Sequence, residues 1–538
     1  YGYTPENGKK ADLMFVQHML AVLDPRDGIL TTVMPHGVLF RGGTEGDIRQ
    51  GFIEDDVLDA VIGLPPNLFY GTGIPACILV MRAKGTKPAE HQGKVLFINA
   101  DAEYHDGRAQ NQLRPEHIEK IVSAYHAFKD IPNYAQVVTA EKLEENDYNL
   151  NIRRYADNAP PPEPQDVTAH LYGGVPQKEI EAHSELFKAH GFDPHANVFV
   201  ANERKGYVDF ASNLSERGDL KTAIEADGGI KAQEEALFSA FQTWWKTHHS
   251  TFEGLAASKN LTRVRAELLE SFQTALQQVG LLDRFKVAGV IASWWDEVDN
   301  DMKIIAENNF VGLVDSWVTT IKADYEGYVD SNGRLQSTMR TDHKLVKKLL
   351  ADYLQEMRDT EAKIAELKEQ KNEFERGEDV DDFDPDNEES ASRYDKELKE
   401  RIKELKSKIK QAQKDDKSTE RIERELKQAE EKLAPYEELT KVESAAKKYL
   451  KALENSFIQR VEAVYESLST ADYAPLVLEL MYEELGTELE RYVTAHRQQI
   501  LTVVETWWDK YSTSLQSIEV AREKAREKRL LDLKGIDK

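Results

Sequence analysis

Two strongly apolar runs, residues 57–62 and 74–81, are joined only by residues 63–73, and that short connection constrains the fold more than any other feature. Each run has the length and β-branched content of a buried strand. Parallel neighbours need a crossover of about a dozen residues or more, usually a helix, because the chain must travel back the length of a strand. A segment containing Leu64-Pro65-Pro66 and Gly71-Thr72-Gly73 is turn chemistry, so the two strands are expected to be antiparallel. The elements before them alternate. Leu13, Val16, Leu20 and Leu23 mark one helical face, thickened by Phe15 and Met19 into a helix expected to be buried nearly all round. Asp24-Pro25-Arg26-Asp27-Gly28 reads as a turn, residues 29–34 as a buried strand, and a short helix is expected around Ile48 and Phe52. A further strand is expected at residues 95–98, then a helix with Ile118, Ile121, Val122, Tyr125 and Phe128 on its apolar face. The sum is an α/β sheet that ends on a reversed strand.

Pro160-Pro161-Pro162-Glu163-Pro164 is a stiff extended linker and a natural boundary. Beyond it the pattern is almost wholly helical. Leu398, Ile402, Leu405, Ile409 and Ala412 step by heptad spacing, as do Ile422, Leu426, Ala429, Leu433 and Tyr436. Lys414-Asp415-Asp416-Lys417-Ser418 breaks the register, so an antiparallel coiled-coil hairpin is expected, with an earlier helix through Leu350, Leu354, Met357, Ile364 and Leu367 in the same feature. The acidic run at residues 378–389 lacks the spacing and central glycine of a calcium loop and reads as solvated loop. Trp244-Trp245, Trp294-Trp295 and Trp507-Trp508 lie in helical surroundings and are expected in cores.

Charge narrows the function classes. Asp plus Glu number 96 against 70 Lys plus Arg, a net charge of −26. A protein that holds DNA alone is usually basic, because phosphate neutralisation supplies most non-specific affinity. This chain is expected to act on DNA only where a partner does the holding. Its apolar runs fall short of the ~20 residues of a membrane span, and no membrane association is expected. The single cysteine, Cys77, sits in an apolar run and reads as a small buried side chain in a reducing, cytoplasmic setting.

Two apparent motifs carry nothing. Gly71-Thr72-Gly73-Ile74-Pro75-Ala76 fits a dinucleotide-binding pattern, but that pattern must end a strand and open a helix, and here it precedes a strand. Leu64-Pro65-Pro66-Asn67 reverses the Asn-Pro-Pro-aromatic order that amino-methylating enzymes use. Neither an Asn-Pro-Pro-Phe/Tyr sequence nor a glycine-rich turn for S-adenosylmethionine occurs in the 538 residues, and metal clusters, P-loops and Cys–His pairs are absent from the sequence.

Four blocks carry a resemblance: Lys10-Ala11-Asp12 with His18; Pro35-His36-Gly37-Val38-Leu39-Phe40-Arg41-Gly42-Gly43 with Ile48-Arg49; Ile62-Gly63-Leu64-Pro65 with Asn67, Phe69, Gly71-Thr72 and Ile74-Pro75; and Asn149-Leu150-Asn151-Ile152 with Arg154-Tyr155. In this order they resemble the segment that follows the Asn-Pro-Pro-Phe motif in modification subunits of type I restriction–modification systems, which are N6-adenine DNA methyltransferases. A weaker echo continues through Gly173-Gly174-Val175-Pro176 and Glu179-Ile180. The resemblance covers roughly the first 190 residues.

The resemblance implies the second half of a Rossmann-like methyltransferase sheet followed by a mostly α-helical region. It implies a chain that begins inside the catalytic domain, with no catalytic residue of its own and S-adenosylmethionine bound mainly by upstream residues. Residues 1–158 would be the C-terminal portion of the catalytic domain, 159–195 a linker and connecting helix, 196–340 a helical domain, 341–440 a coiled-coil arm with its acidic loop, and 441–538 a C-terminal helical region. It implies methyl transfer to an adenine turned out of DNA, a separate specificity subunit that contacts DNA, and a restriction subunit, hence a hetero-oligomer. The turns after the strands would wall the base site: Pro35 and Phe40 in one, Asn67, Phe69, Tyr70 and Thr72 in the other. Phe69 and Tyr70 would stack on or fence the base, with Asn67 or Thr72 donating hydrogen bonds. The competing reading of Phe69 is a core plug, and of His36 a residue that orients its loop. A competing reading of the whole chain is a non-catalytic helical scaffold that retains a remnant of the fold.

Overall fold

The computed structural model describes residues 1, 11–158, 163–258, 260–329, 335–376, 388–415 and 418–536. It divides into two compact units, residues 1–306 with 481–538, and residues 307–480.

The first unit opens with α1 (Asp12–Ala21), β1 (Ile29–Pro35), α2 (Thr44–Glu54), β2 (Leu58–Gly63), β3 (Ala76–Arg82), β4 (Lys94–Asn99), α3 (Pro115–Ala127) and β5 (Ala135–Thr139). The strands form one sheet in the order β1-β3-β2-β4-β5. β3 is antiparallel to both β1 and β2, as the short connection requires, while β2 and β4 are parallel. β1, β2 and β4 therefore all run one way and end at the same edge. β2 is buried at every position, which fits a strand covered on both faces. Val61, Leu79, Met81 and Phe97 face α1 and α2. Ala60, Ile62, Val80, Leu96 and Ile98 face Ile121 and Ala124 of α3. A register shift between Leu58 and Ala60 sets Asp59 fully inside, where it accepts from Arg82 Nε (2.9 Å), Tyr125 Oη (2.7 Å) and His91 Nδ1 (2.9 Å). Burial opposes its charge, but those donors outweigh it and hold the carboxyl below its usual range.

Three expectations need correction. α1 buries Leu13 and Val16, but Phe15 is 65% exposed, because only one side of the helix meets the sheet. α3 turns a narrower face inward than its sequence suggests: Ile121 and Ala124 are buried, whereas Ile118 and Val122 lie outside. β1 ends the sheet among the described residues, and only its Leu30/Met34 row is buried; Ile29 and Val33 are exposed.

Past the linker, whose prolines at 160–162 lie outside the described residues, the chain is not wholly helical. β6 (Val175–Pro176), β7 (Phe199–Ala201) and β8 (Tyr207–Phe210) form a small antiparallel sheet in the order β6-β8-β7. Its aromatic and β-branched residues outweigh the polar helical pattern around them. It packs with Ile500, Val504, Trp507 and Tyr511 of the helix Tyr473–Tyr511. The Gly173-Gly174 pair has φ near +83° and +85°, values that favour glycine. Glu179 takes an ion pair from Lys510 at 2.9 Å and a hydrogen bond from Tyr511 at 2.6 Å. The tryptophan pairs are core residues, with Trp508 half-buried; Trp294 Nε1 donates to the Met481 carbonyl at 3.1 Å and Trp244 Nε1 to Ser271 Oγ at 3.0 Å.

In the second unit the helices Glu388–Lys414 and Glu420–Ser467 pack through Ile402, Leu405, Ala429 and Leu433. Cross-helix ion pairs Lys399–Glu437 (3.4 Å) and Lys406–Glu430 (2.8 Å) also link them; residues 416–417 lie outside the described set. The helix Ala351–Arg376 joins them, with Tyr353 Oη donating to the Leu453 carbonyl (2.6 Å) and Lys371 paired to Glu443 (2.7 Å). Most of the acidic run, residues 378–387, lies outside the described residues. Among the described residues no helix is long and apolar enough to cross a membrane.

Candidate functional site

Three parallel strands that end together leave their following turns side by side, and in open α/β sheets that edge is where ligands bind. Here it holds a cleft of about 790 Å³. His36, Leu39 and Phe40 line it after β1, Pro66 and Pro75 from the β2–β3 loop, and Asn99, Asp101, Ala102 and Tyr104 after β4. The fourth wall comes from far along the chain, with Asn151, Ile152, Arg153 and Asn158.

Local chemistry explains each wall. His36 Nε2 lies 3.0 Å from the Ala76 carbonyl, so the imidazole ties the end of β1 to the start of β3. Burial pushes its pKa down while that bond acts the other way. This geometry favours the loop-orienting role. The chain returns at residues 149–155 because Leu150 N donates to the Leu39 carbonyl (2.8 Å) and Tyr155 Oη to the Asn149 carbonyl (2.6 Å). A Cβ on Gly63 would lie 2.9 Å from Ile152 Cδ1, so glycine at the end of β2 admits the Ile152 side chain. Asn99 Nδ2 donates to the Ala156 carbonyl at 2.9 Å. Asp101 takes the Arg153 guanidinium at 2.8 Å and an amide hydrogen bond from Asn158.

The candidate residues divide. Phe40 lines the cleft and is 49% exposed. Pro35 ends β1 just before it without lining it. The base of the β2–β3 loop, Pro66 and Pro75, faces the cleft, but Asn67, Phe69, Tyr70 and Thr72 do not line it. Phe69 is 38% exposed and Tyr70 93%, so Phe69 is not a core plug. Asn67 sits at φ +53° with its amide 3.5 Å from the Ala109 carbonyl, and Thr72 Oγ1 accepts from Ile74 N at 3.1 Å. Both shape the loop. Sequence reasoning missed Asn99, Asp101, Tyr104, Asn151, Arg153 and Asn158. The signal was the Asn149–Tyr155 block itself, rich in polar side chains yet given no role.

The Cys77 thiol is fully buried against the Met34 carbonyl (3.4 Å), and burial pushes its pKa up to about 12, which removes it as a nucleophile.

The cleft does not fit a methyl-donor cofactor. Its one carboxylate, Asp101, is already engaged by Arg153 and Asn158, which leaves no free acidic group among the lining residues to accept from the hydroxyls or amino group of such a cofactor. Its proline, aromatic and amide walls suit one planar ring.

Residues 1–163 match the N-6 DNA Methylase family. The chain is 41% identical over 191 residues to the type I restriction enzyme MjaVIII methylase subunit of Methanocaldococcus jannaschii, covering 35% of this chain and 31% of that protein. It is 35% identical over 158 residues to the MpnII methylase subunit of Mycoplasma pneumoniae, covering 29% and 28%. The solved type I restriction-modification system methyltransferase subunit from Streptococcus thermophilus is 42% identical, covers 28% of this chain and 31% of its own, and has a TM-score of 0.26, too low to argue fold. The match spans about a third of the curated relatives' length. The matched residues 1–163 include every residue that lines the cleft.

Proposed function

We propose that this chain is part of a type I modification enzyme that methylates N6 of adenine in DNA, with its cleft serving as a wall of the pocket for the extruded base. The observation that carries this is the cleft's position: at the carboxyl ends of β1, β2 and β4, inside the segment matched to the N-6 DNA Methylase family. S-adenosylmethionine, held by residues other than those of this cleft, supplies the methyl group. The chain's own residues position the base. Phe40 and Tyr104 offer ring faces, Pro66 and Pro75 an apolar wall, and Asn151 an amide able to hydrogen bond to a base edge. An exocyclic amine is a poor nucleophile, so holding it in line contributes through positioning.

β1 supports the same reading. Its outer edge is unpaired among the described residues and one face is uncovered, which leaves room for the remainder of a methyltransferase sheet. The segments at 1–158, 159–195, 196–340, 341–440 and 441–538 act in this scheme as catalytic portion, linker, helical domain, coiled-coil arm and C-terminal helical region. The antiparallel helices of the arm form the coiled-coil hairpin. A chain of net charge −26 leaves the gripping of DNA to a specificity subunit, against whose helices the C-terminal region docks; a restriction subunit joins the same cytoplasmic assembly. The test is transfer of labelled methyl from S-adenosylmethionine to duplex DNA by the complete protein with its specificity subunit. The reading expects N6-methyladenine as the labelled nucleoside; label on cytosine, or none on DNA, contradicts it.

A further inference from the structure

Two loop tips beside the cleft carry side chains that the fold does not use. In the β2–β3 loop, Phe69 pairs with Thr72, and Thr72 N donates to the Phe69 carbonyl at 3.4 Å. Gly71 between them has φ +79°, a turn position at which a side chain is strained. Tyr70 is thereby set at the apex, 93% exposed, with Ile74 also exposed on the same loop. In the segment after β4, His105 pairs with Gln112 through two backbone hydrogen bonds of 2.9 and 3.0 Å. The turn is tight, since a Cβ on Gly107 would collide with the Gln110 carbonyl. Arg108 stands exposed on this turn, and its side chain makes no ion pair or hydrogen bond to the described residues.

The two tips are fastened together. Asn111 is buried; its backbone N donates to the Asn67 carbonyl (2.9 Å) and its Nδ2 to the Pro66 carbonyl (2.8 Å), while Asn67 Nδ2 reaches the Ala109 carbonyl (3.5 Å). An aromatic ring and an unpaired guanidinium are thus held on one small body whose base, Pro66, lines the cleft. Apolar wedges enter base steps and kink or open duplexes, and aromatic faces stack on bases with little regard to sequence. Cations pair with phosphates. Tyr70 does not line the cleft, so it is not placed to stack on a base lying there.

We propose that Tyr70 and Arg108 act together on double-stranded DNA, Tyr70 entering the stack where the target adenine leaves it and Arg108 holding a neighbouring backbone phosphate. This rests on the methyltransferase reading above. It adds that the free energy of extrusion is offset from outside the pocket, by a ring that fills the gap left in the helix.

The test uses the complete enzyme with its specificity subunit, its recognition duplex, and a second duplex in which the target adenine faces an abasic site. Y70A is expected to slow methylation of the paired duplex by roughly tenfold or more. On the abasic duplex, where the base is already unpaired, the deficit shrinks to about twofold or less. Y70F and Y70W restore the paired rate because they keep a ring. R108A weakens binding to specific and unrelated duplexes alike and lowers the slope of log affinity against log salt by about one unit. Equal Y70A deficits on the two duplexes, or none on either, overturn the wedge. An unchanged salt slope overturns the phosphate contact, and loss of the specificity subunit from either variant reassigns the tips to a protein interface. Wild-type enzyme that methylates neither duplex instead overturns the methyltransferase reading.

Discussion

The α/β segment of the first unit and the heptad-spaced helices of the second bury apolar residues by different means. In the sheet, β2 and β4 are covered on both faces, and a residue as polar as Asp59 is tolerated inside because Arg82, Tyr125 and His91 all donate to it. In the helical arm the core is a single seam, Ile402, Leu405, Ala429 and Leu433, flanked by exposed pairs such as Arg401–Glu425 at 3.3 Å and Lys406–Glu430 at 2.8 Å. The sheet brings remote segments to one edge and so can build a cleft. A seam between helices repeats one contact and holds a shape.

That contrast can be broken by substitution. The largest stability loss is expected for Asp59→Ala, which leaves the Arg82 charge without its carboxylate: about 3–5 kcal/mol, read by urea denaturation of the full chain. A loss below about 1 kcal/mol would place Asp59 with surface pairs. Leu405→Ala should cost about 2 kcal/mol and lower the arm's melting transition while leaving methylation per folded enzyme unchanged. A fall in methylation would tie the arm to the chemistry. In the complete enzyme, Phe40→Ala, which removes a ring from the cleft wall, should lower methylation more than it lowers cofactor binding; equal losses with a lower melting temperature would favour a packing role.

A pH experiment sharpens the comparison inside the first unit. His190 Nε2 is 2.8 Å from Glu234, whose carboxylate also takes Arg497 at 2.8 Å, and His190 Nδ1 is 2.8 Å from His496 Nδ1. One proton fits between those two nitrogens, so the two rings cannot both be cationic. Burial, with Lys286 and His190 nearby, lowers the His496 pKa to about 4, Asp283 acting the other way; burial lowers that of His190 against Glu234. Both folded values lie below the ordinary 6.5, so the unfolded chain takes up more protons as acid is added. Stability is therefore full above about pH 6.5 and falls between there and about pH 4, measured as the denaturation midpoint. His496→Leu should flatten the curve over that range; an unchanged slope would contradict the assignment. The smallest effect is expected for Lys406→Ala, under about 1 kcal/mol.

Much of the architecture was legible because period and connection length are local quantities. The antiparallel β2–β3 pair followed from a connection too short for a crossover, and the heptad seam from residues spaced by three and four. The small β6-β8-β7 sheet was not legible, because strands of two to four residues show no period. The exposure of Phe15 and of Ile29 escaped for another reason: an apolar side chain announces that it can be buried, but not whether the described chain supplies a cover. Phe40 was legible as a cleft-lining residue because it lies in the turn between β1 and α2, at the carboxyl edge of the sheet. Asn151 and Arg153 reach the cleft through contacts across remote sequence, such as the Leu150–Leu39 hydrogen bond and the Arg153–Asp101 ion pair. Tyr70 and Phe69 were picked for their type, and the turn around Gly71 carries them past the pocket wall.

The most direct measurement is photo-crosslinking of the complete enzyme to a recognition duplex in which 5-iodouracil replaces the target adenine, with adducts located by mass spectrometry. A base drawn out of the helix into the cleft should attach to Phe40 or Tyr104. Adducts found only outside residues 36–158, with the duplex bound and turned over normally when adenine is present, would contradict a cleft that receives the base.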